Sequence, residues 1–170
     1  MAPRRPREWL GVAAAIQRET RDRGLIARVS DNALALYDRL VTDTALRDVT
    51  RQLFADGHYA QAVGEAYKFL NNLVKSRSGV EDDGASLMRK AFSANNPRLR
   101  LSRSRSQSER DEQQGYMEIF AGCMTGIRNP LAHEHMQGDL RQRAVETLGW
   151  ANHLVRIVRQ AKRTRVRRKK

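Results

Sequence analysis

His58–Ser76 reads HYAQAVGEAYKFLNNLVKS, and its spacing decides the fold class. Tyr59, Ala62, Val63, Ala66, Leu70, Leu73 and Val74 recur at intervals of three and four, while Gln61, Glu65, Lys68 and Asn72 point elsewhere around the helix. A strand would repeat every second residue, so this stretch is an amphipathic α-helix with one face for a core.

The same period extends outward in both directions. Upstream, Trp9, Val12, Ala13 and Ile16 make a helical face within Arg7–Arg23, and Gly24 offers a stop. Asp31–Asp56 carries Leu34, Leu40, Leu46, Val49 and Leu53, with a bend expected at Thr42–Thr44, where Asp43 or Thr44 caps a new helix before Gly57. Downstream, SGVEDDG is a turn and ASLMRKAF a short helix that the acidic residues Glu81, Asp82 and Asp83 open. From Glu109 a further face follows in Tyr116, Ile119, Phe120, Cys123 and Ile127. The last helix begins after Gly138, with Asp139 near its N-terminus and Ala144, Val145, Leu148, Ala151, Val155 and Val158 inward. No strand and no internal repeat is evident, so the expected architecture is an all-α bundle of antiparallel helices.

The chain has 170 residues, enough to bury a core without metals or disulfides. Its single cysteine, Cys123, lies on an apolar helix face and reads as a core residue; a reducing cytoplasm is the expected setting. No apolar run approaches the roughly 20 residues that span a bilayer. The short apolar stretch near the N-terminus is interrupted at Gln17, Arg18 and Glu19, so no secretory signal is expected.

The net charge is +13, but Arg156–Lys170 alone carries +9. That tail, with Lys162, Arg163, Arg165, Arg167 and Arg168, contains no aromatic residue to stack on a base. It reads either as an arm that follows phosphates or as a solvated terminus that aids solubility. Asn95–Ser108 alternates Arg and Ser without periodicity and reads as a basic surface loop, whose Arg103 and Arg105 can reach nucleic acid if a site lies beside it.

The chemistry concentrates in GIRNPLAHEH, Gly126–His135. Pro130 ends the helix and pushes Asn129 out of helical angles, which leaves Arg128 on the last helical turn and His133 beyond a short bend. A guanidinium grips phosphate oxygens with a planar fork, and an imidazole exchanges a proton near neutral pH. RNA cleavage needs these functions, since the 2′-OH must lose a proton, the phosphorus must be stabilised and the 5′-oxygen must leave protonated. Against this stands a structural reading, in which Arg128 caps its helix and Asn129-Pro130 starts an ordinary turn. His133, Glu134 and His135 lack the further ligands a metal needs, so no metal or other cofactor is expected. His58 caps or flanks a helix, and His153 shares a face with Trp150 and Ile157 as a packing residue. Glu65 and Lys68 form a surface pair or line a cleft. No Gly-rich phosphate loop, Ser–His–Asp set or paired-carboxylate motif is present.

Arg128-Asn129-Pro130-Leu131-Ala132-His133 resembles the R-x4–6-H motif of HEPN domains. The segments HYAQAVGEAYKFLNNLVKSRSG, DDGASLM, EQQGYMEIFAGCMTGIRNPLAHE and the final helix together resemble one branch, the Ymh-type abortive-infection family, over roughly Leu46–Ile157. The resemblance implies a HEPN-type bundle spanning 46–160, preceded by a helical extension (1–45) and followed by a basic tail (161–170). It implies a metal-independent endoribonuclease, serving as a toxin or phage-defence effector, with a composite site at a homodimer interface. In that site Arg128 holds the phosphate, His133 transfers protons and Asn129 orients them or touches RNA. His135, Lys68, Arg103, Arg105 and the tail cations are the expected nucleic-acid contacts, and an antitoxin or defence-system protein is a possible partner. The alternative is a non-catalytic HEPN-like subunit that binds nucleic acid or a partner protein.

Overall fold

The computed structural model describes residues 18–19, 32–103, 105–128 and 140–164. The helical face around Trp9, and with it Gly24, lies outside the described residues.

Residues 32–40 form α1, followed by α2 (Thr44–Ala55), α3 (Tyr59–Ser78), α4 (Gly84–Ala91), α5 (Gln107–Cys123) and α6 (Leu140–Gln160). The fold is nearly all helical. α3 is the central element and packs against α2, α4 and α6. Its stripe is buried as the spacing predicts, with Ala62, Val63, Ala66, Leu70 and Val74 inside. Tyr67 and Asn71 are buried with them, which widens the apolar face beyond the expected set. Two aromatic stacks fill the core from either side. Tyr37 lies 5.0 Å from Phe54 between α1 and α2, and Phe92 lies 4.3 Å from Phe120 between α4 and α5. Burial pushes the Cys123 thiol above its ordinary pKa, as befits the core residue its spacing predicts.

The bend expected at Thr42–Thr44 is a built corner. Asp43 caps α2 by accepting from the Leu46 amide at 3.1 Å. Asn152, buried on α6, accepts from the amides of Thr42 at 3.0 Å and Asp43 at 2.9 Å, and Arg159 binds both carboxylate oxygens of Asp43. The corner between α1 and α2 is thus pinned to α6.

Two expectations need correction. Leu40, Val49 and Ile119 sit on periodic faces, yet each is more than a third exposed. The Asn95–Ser108 segment, expected as a loop, contains a strand, β1 (Leu99–Arg100), antiparallel to β2 (Lys162–Arg163) at the start of the basic tail. Leu99 is fully buried. Gln113, itself 1 % exposed, donates to the carbonyls of Phe92 and Leu99 and accepts from the Leu101 amide, so α5 supplies hydrogen bonds that this non-helical backbone needs when buried. Ser106 and Glu109 then form a reciprocal cap that starts α5.

Candidate functional site

The geometry around Arg128 begins on α3. Asn71 follows Leu70 on the buried side and is 1 % exposed, so both ends of its amide need partners. Its oxygen accepts from the Gly84 amide at 3.0 Å, and its NH2 donates to Oδ1 of Asp83. One side chain thereby clasps the turn that opens α4 on two sides. Gly84 has φ +58°, a left-handed value that a side chain would disfavour by roughly 1–2 kcal/mol. A Cβ there would stand 3.9 Å from Nη1 of Arg128.

Asp83 occupies the cap position of α4, but its side chain makes no cap hydrogen bond there. It turns toward Arg128, whose Nη1 donates to Oδ2 at 3.1 Å. Burial raises the Asp83 pKa, but the hydrogen bonds from Arg128 and Asn71 outweigh it and hold the carboxyl below its ordinary value. Asp83 is therefore an anion at neutral pH and fixes the guanidinium by charge.

Arg128 ends a π-helical turn, Met124–Arg128, that continues α5. The wider turn rotates residues differently from an α-helix, and such turns recur at functional sites. Periodicity alone does not reveal it. The hydroxyl of Thr125 bonds back to the carbonyls of Ala121 and Gly122 at the start of this turn. Arg128 stands in the last turn, as the sequence places it, and its hydrogen bond to a described residue reaches another element, 45 positions away.

Asn129, His133 and His135 lie outside the described residues, as do Pro130, Glu134, Gly138, Asp139, Arg165, Arg167 and Arg168. Lys68 pairs with Glu65 at 3.2 Å on the exposed face of α3. Arg103 and Arg105 are exposed beside the cap of α5, and Lys162 and Arg163 are exposed on β2. The two basic segments, separate in the sequence, are thus joined by the β1–β2 ribbon. His153 packs as expected, 5.2 Å from Trp150, with Nε2 3.1 Å from the Tyr116 hydroxyl. His58 precedes α3 without a side-chain cap bond. Asp82 accepts from Ser86 at 2.6 Å and pairs with Lys90, while Arg141 reaches the Tyr59 hydroxyl at 2.8 Å and ties the start of α6 to that of α3.

The family model for Hypoth_Ymh, described as a protein of unknown function, matches residues 41–158. The chain belongs to the Hypoth_Ymh family. The Hypoth_Ymh match contains the α1–α2 corner, Asn71, Asp83, Gly84 and Arg128, and most of α6; it stops short of β2. No curated protein and no solved structure gives a significant match. No described helix is long and apolar enough to cross a membrane.

Asn71 and Asp83 are the residues that sequence reasoning missed at this site. Asn71 was visible as a polar residue amid an apolar stripe, beside Leu70 and Val74. Asp83 lay in the DDG turn but read as a helix opener.

Proposed function

We propose that this Hypoth_Ymh chain is a metal-independent endoribonuclease of the HEPN type. The observation that carries the reading is the Asn71–Asp83–Arg128 chain of bonds, which holds a guanidinium at the end of the helix that leads into His133. An arginine fixed in this way meets a phosphate without first losing side-chain freedom, which favours binding of the crowded phosphorus.

In the reaction the RNA 2′-OH attacks its own 3′-phosphate. His133 takes the hydroxyl proton, Arg128 stabilises the charge on phosphorus, and the 5′-oxygen leaves with a proton from His133 of the partner subunit. The products are a 2′,3′-cyclic phosphate and a 5′-hydroxyl. One chain offers a single motif histidine, so acid and base together call for a homodimer with a composite site. Asn129 orients this pair. The cell-level role is that of a toxin or phage-defence effector, restrained or triggered by a partner protein.

The competing reading is a HEPN-like binding subunit, favoured by the ion pair that already occupies part of the Arg128 guanidinium. A cleavage assay separates the two. Wild type, Arg128→Ala and His133→Ala are incubated with RNA and with all-DNA oligonucleotides in the presence of a chelator. Cleavage of RNA alone, by wild type alone, with cyclic-phosphate ends, supports the enzyme. RNA binding without turnover supports the binding subunit.

A further inference from the structure

We infer that the cleft between the C-terminal ends of α3 and α4 and the chain leading into β1 binds the phosphodiester backbone of a single RNA strand. The cleft has a volume of about 540 Å³ and is lined by Gly79, Asp82, Arg89, Lys90, Asn96 and Arg98, among others.

Charge bookkeeping identifies which of these cations meet a ligand. Lys90 neutralises Asp82 at 2.6 Å, and Lys75 lies 3.5 Å from Glu81, the other acid on the wall. Arg89 and Arg98 form no ion pair with a described residue. A third guanidinium joins them from β2. Nη2 of Arg163 stands 2.9 Å from where a Cβ would sit on Gly79, so the left-handed glycine (φ +68°) that ends α3 leaves room for it. The guanidinium groups of Arg89 and Arg98 therefore line a cleft whose two carboxylates are paired with lysines, and that of Arg163 stands against its Gly79 edge.

The platform beneath them is fixed. The Arg98 amide donates to the Ala91 carbonyl at 2.9 Å, and its carbonyl accepts from the Thr164 amide at 3.0 Å. Thr164 also donates its hydroxyl to Pro97, and Arg77 donates to the Ala161 carbonyl at 2.8 Å. The end of α4, β1 and the start of the tail are thus one body.

Among the described residues the lining contains no aromatic side chain on which a base would stack. Phosphate oxygens are the groups that planar guanidinium forks take up. Asp82, which lines the cleft, directly precedes Asp83, the partner of Arg128, so one turn borders both the cleft and the Arg128 site. The choice of RNA rests on the ribonuclease reading; the cleft's affinity for a phosphate backbone does not.

The test is binding of a fluorescent 12-nucleotide single-stranded RNA by anisotropy, on the full chain carrying His133→Ala so that the probe survives. The parent is compared with Arg89→Ala/Arg98→Ala/Arg163→Ala and with a control, Arg110→Ala/Arg143→Ala, that removes exposed arginines on α5 and α6. The triple variant should bind about tenfold or more weakly at 100 mM salt. Its plot of log affinity against log salt should be shallower by about 2, at roughly 0.7 per phosphate contact on a single strand. The control should match the parent. If the triple variant melts early, Arg89→Ala alone, on the exposed side of α4, should still flatten the slope by about 0.7. Equal affinity and slope in parent and variants overturn the proposal, as does displacement of the RNA by low-millimolar inorganic phosphate, which would mean an isolated anion site. In the chain with His133 intact, cleavage with no cleft effect sinks the cleft alone. A cleft effect with no cleavage sinks the ribonuclease alone.

Discussion

Among the described residues, two aspartates at helix cap positions, Asp43 and Asp83, each bind an arginine of another element, and the two cross-links are built in opposite senses. At the α1–α2 corner the carboxylate is the sheltered partner. The Asp43 side chain is 8 % exposed, caps its own helix and binds Arg159, whose side chain is 43 % exposed. At the α4 start the carboxylate is the open partner. The Asp83 side chain is 61 % exposed, leaves its own helix uncapped and holds the less exposed Arg128. Asp43 closes a corner by satisfying orphan amides, which contributes stability directly. Asp83 forgoes that role, and an exposed ion pair contributes only about 0–1 kcal/mol. What it provides is the placement of a guanidinium.

That contrast breaks most readily at Arg128. On the ribonuclease reading proposed above, Arg128→Ala should lower RNA cleavage by at least about a hundredfold, the lower end of what one transition-state group supplies. It should lower unfolding free energy in urea by less than about 1 kcal/mol. A large stability loss with proportionate activity loss would make Arg128 another structural clamp.

Asp43→Ala should do the reverse. Loss of the cap costs about 1 kcal/mol, and loss of the Arg159 contact adds to it, for about 2 kcal/mol in a urea titration. Cleavage per folded molecule should stay at the wild-type value. A drop in that specific activity would show that the corner communicates with the Arg128 end.

Asp83→Asn sharpens the distinction between placing and merely supporting. It keeps the shape and removes the charge that anchors Arg128. The expected result is about a tenfold fall in kcat/KM with a melting temperature close to wild type, whereas Asp83→Glu should recover part of the loss. An unchanged rate would remove Asp83 from the site.

The smallest effect is one of pH. Both carboxyls titrate below the ordinary value of 3.8 in the folded chain, because hydrogen bonds from Arg159 and Leu46, or from Arg128 and Asn71, outweigh the upward push of burial. Their stabilisation is complete above the unfolded pKa and is lost as pH falls through the depressed folded one. Asp43→Asn should therefore flatten the loss of unfolding free energy between about pH 4 and pH 2, measured by urea titration at each pH. Asp83→Asn should flatten it less, since its carboxylate is open to solvent. The opposite order would contradict the assignment of Asp43 as the structural member.

The sequence by itself determined what depends on near neighbours. The three-and-four spacing of Ala62, Val63, Ala66, Leu70 and Val74 sets α3 and its buried face, and Asp43 three residues ahead of Leu46 sets the cap of α2. Cys123 on the face of Phe120 belongs in the core, and Arg128 ahead of Pro130 marks a helix end. Such features follow from the rise and turn of one helix, whatever else the chain does.

Tertiary structure decided the rest, because it concerns which faces meet. Asn71 and Asp83 are separated by 12 residues and Asp83 and Arg128 by 45, so no local period links them. Leu99 enters the core because Gln113, on a different element, takes up its carbonyl, and that same anchoring turns an Arg/Ser-rich loop into a strand. The exposure of Ile119 and the π-turn that carries Arg128 are likewise not given by the three-and-four spacing. Periodicity tells a side chain which side of its helix it occupies. Only packing tells it what stands opposite.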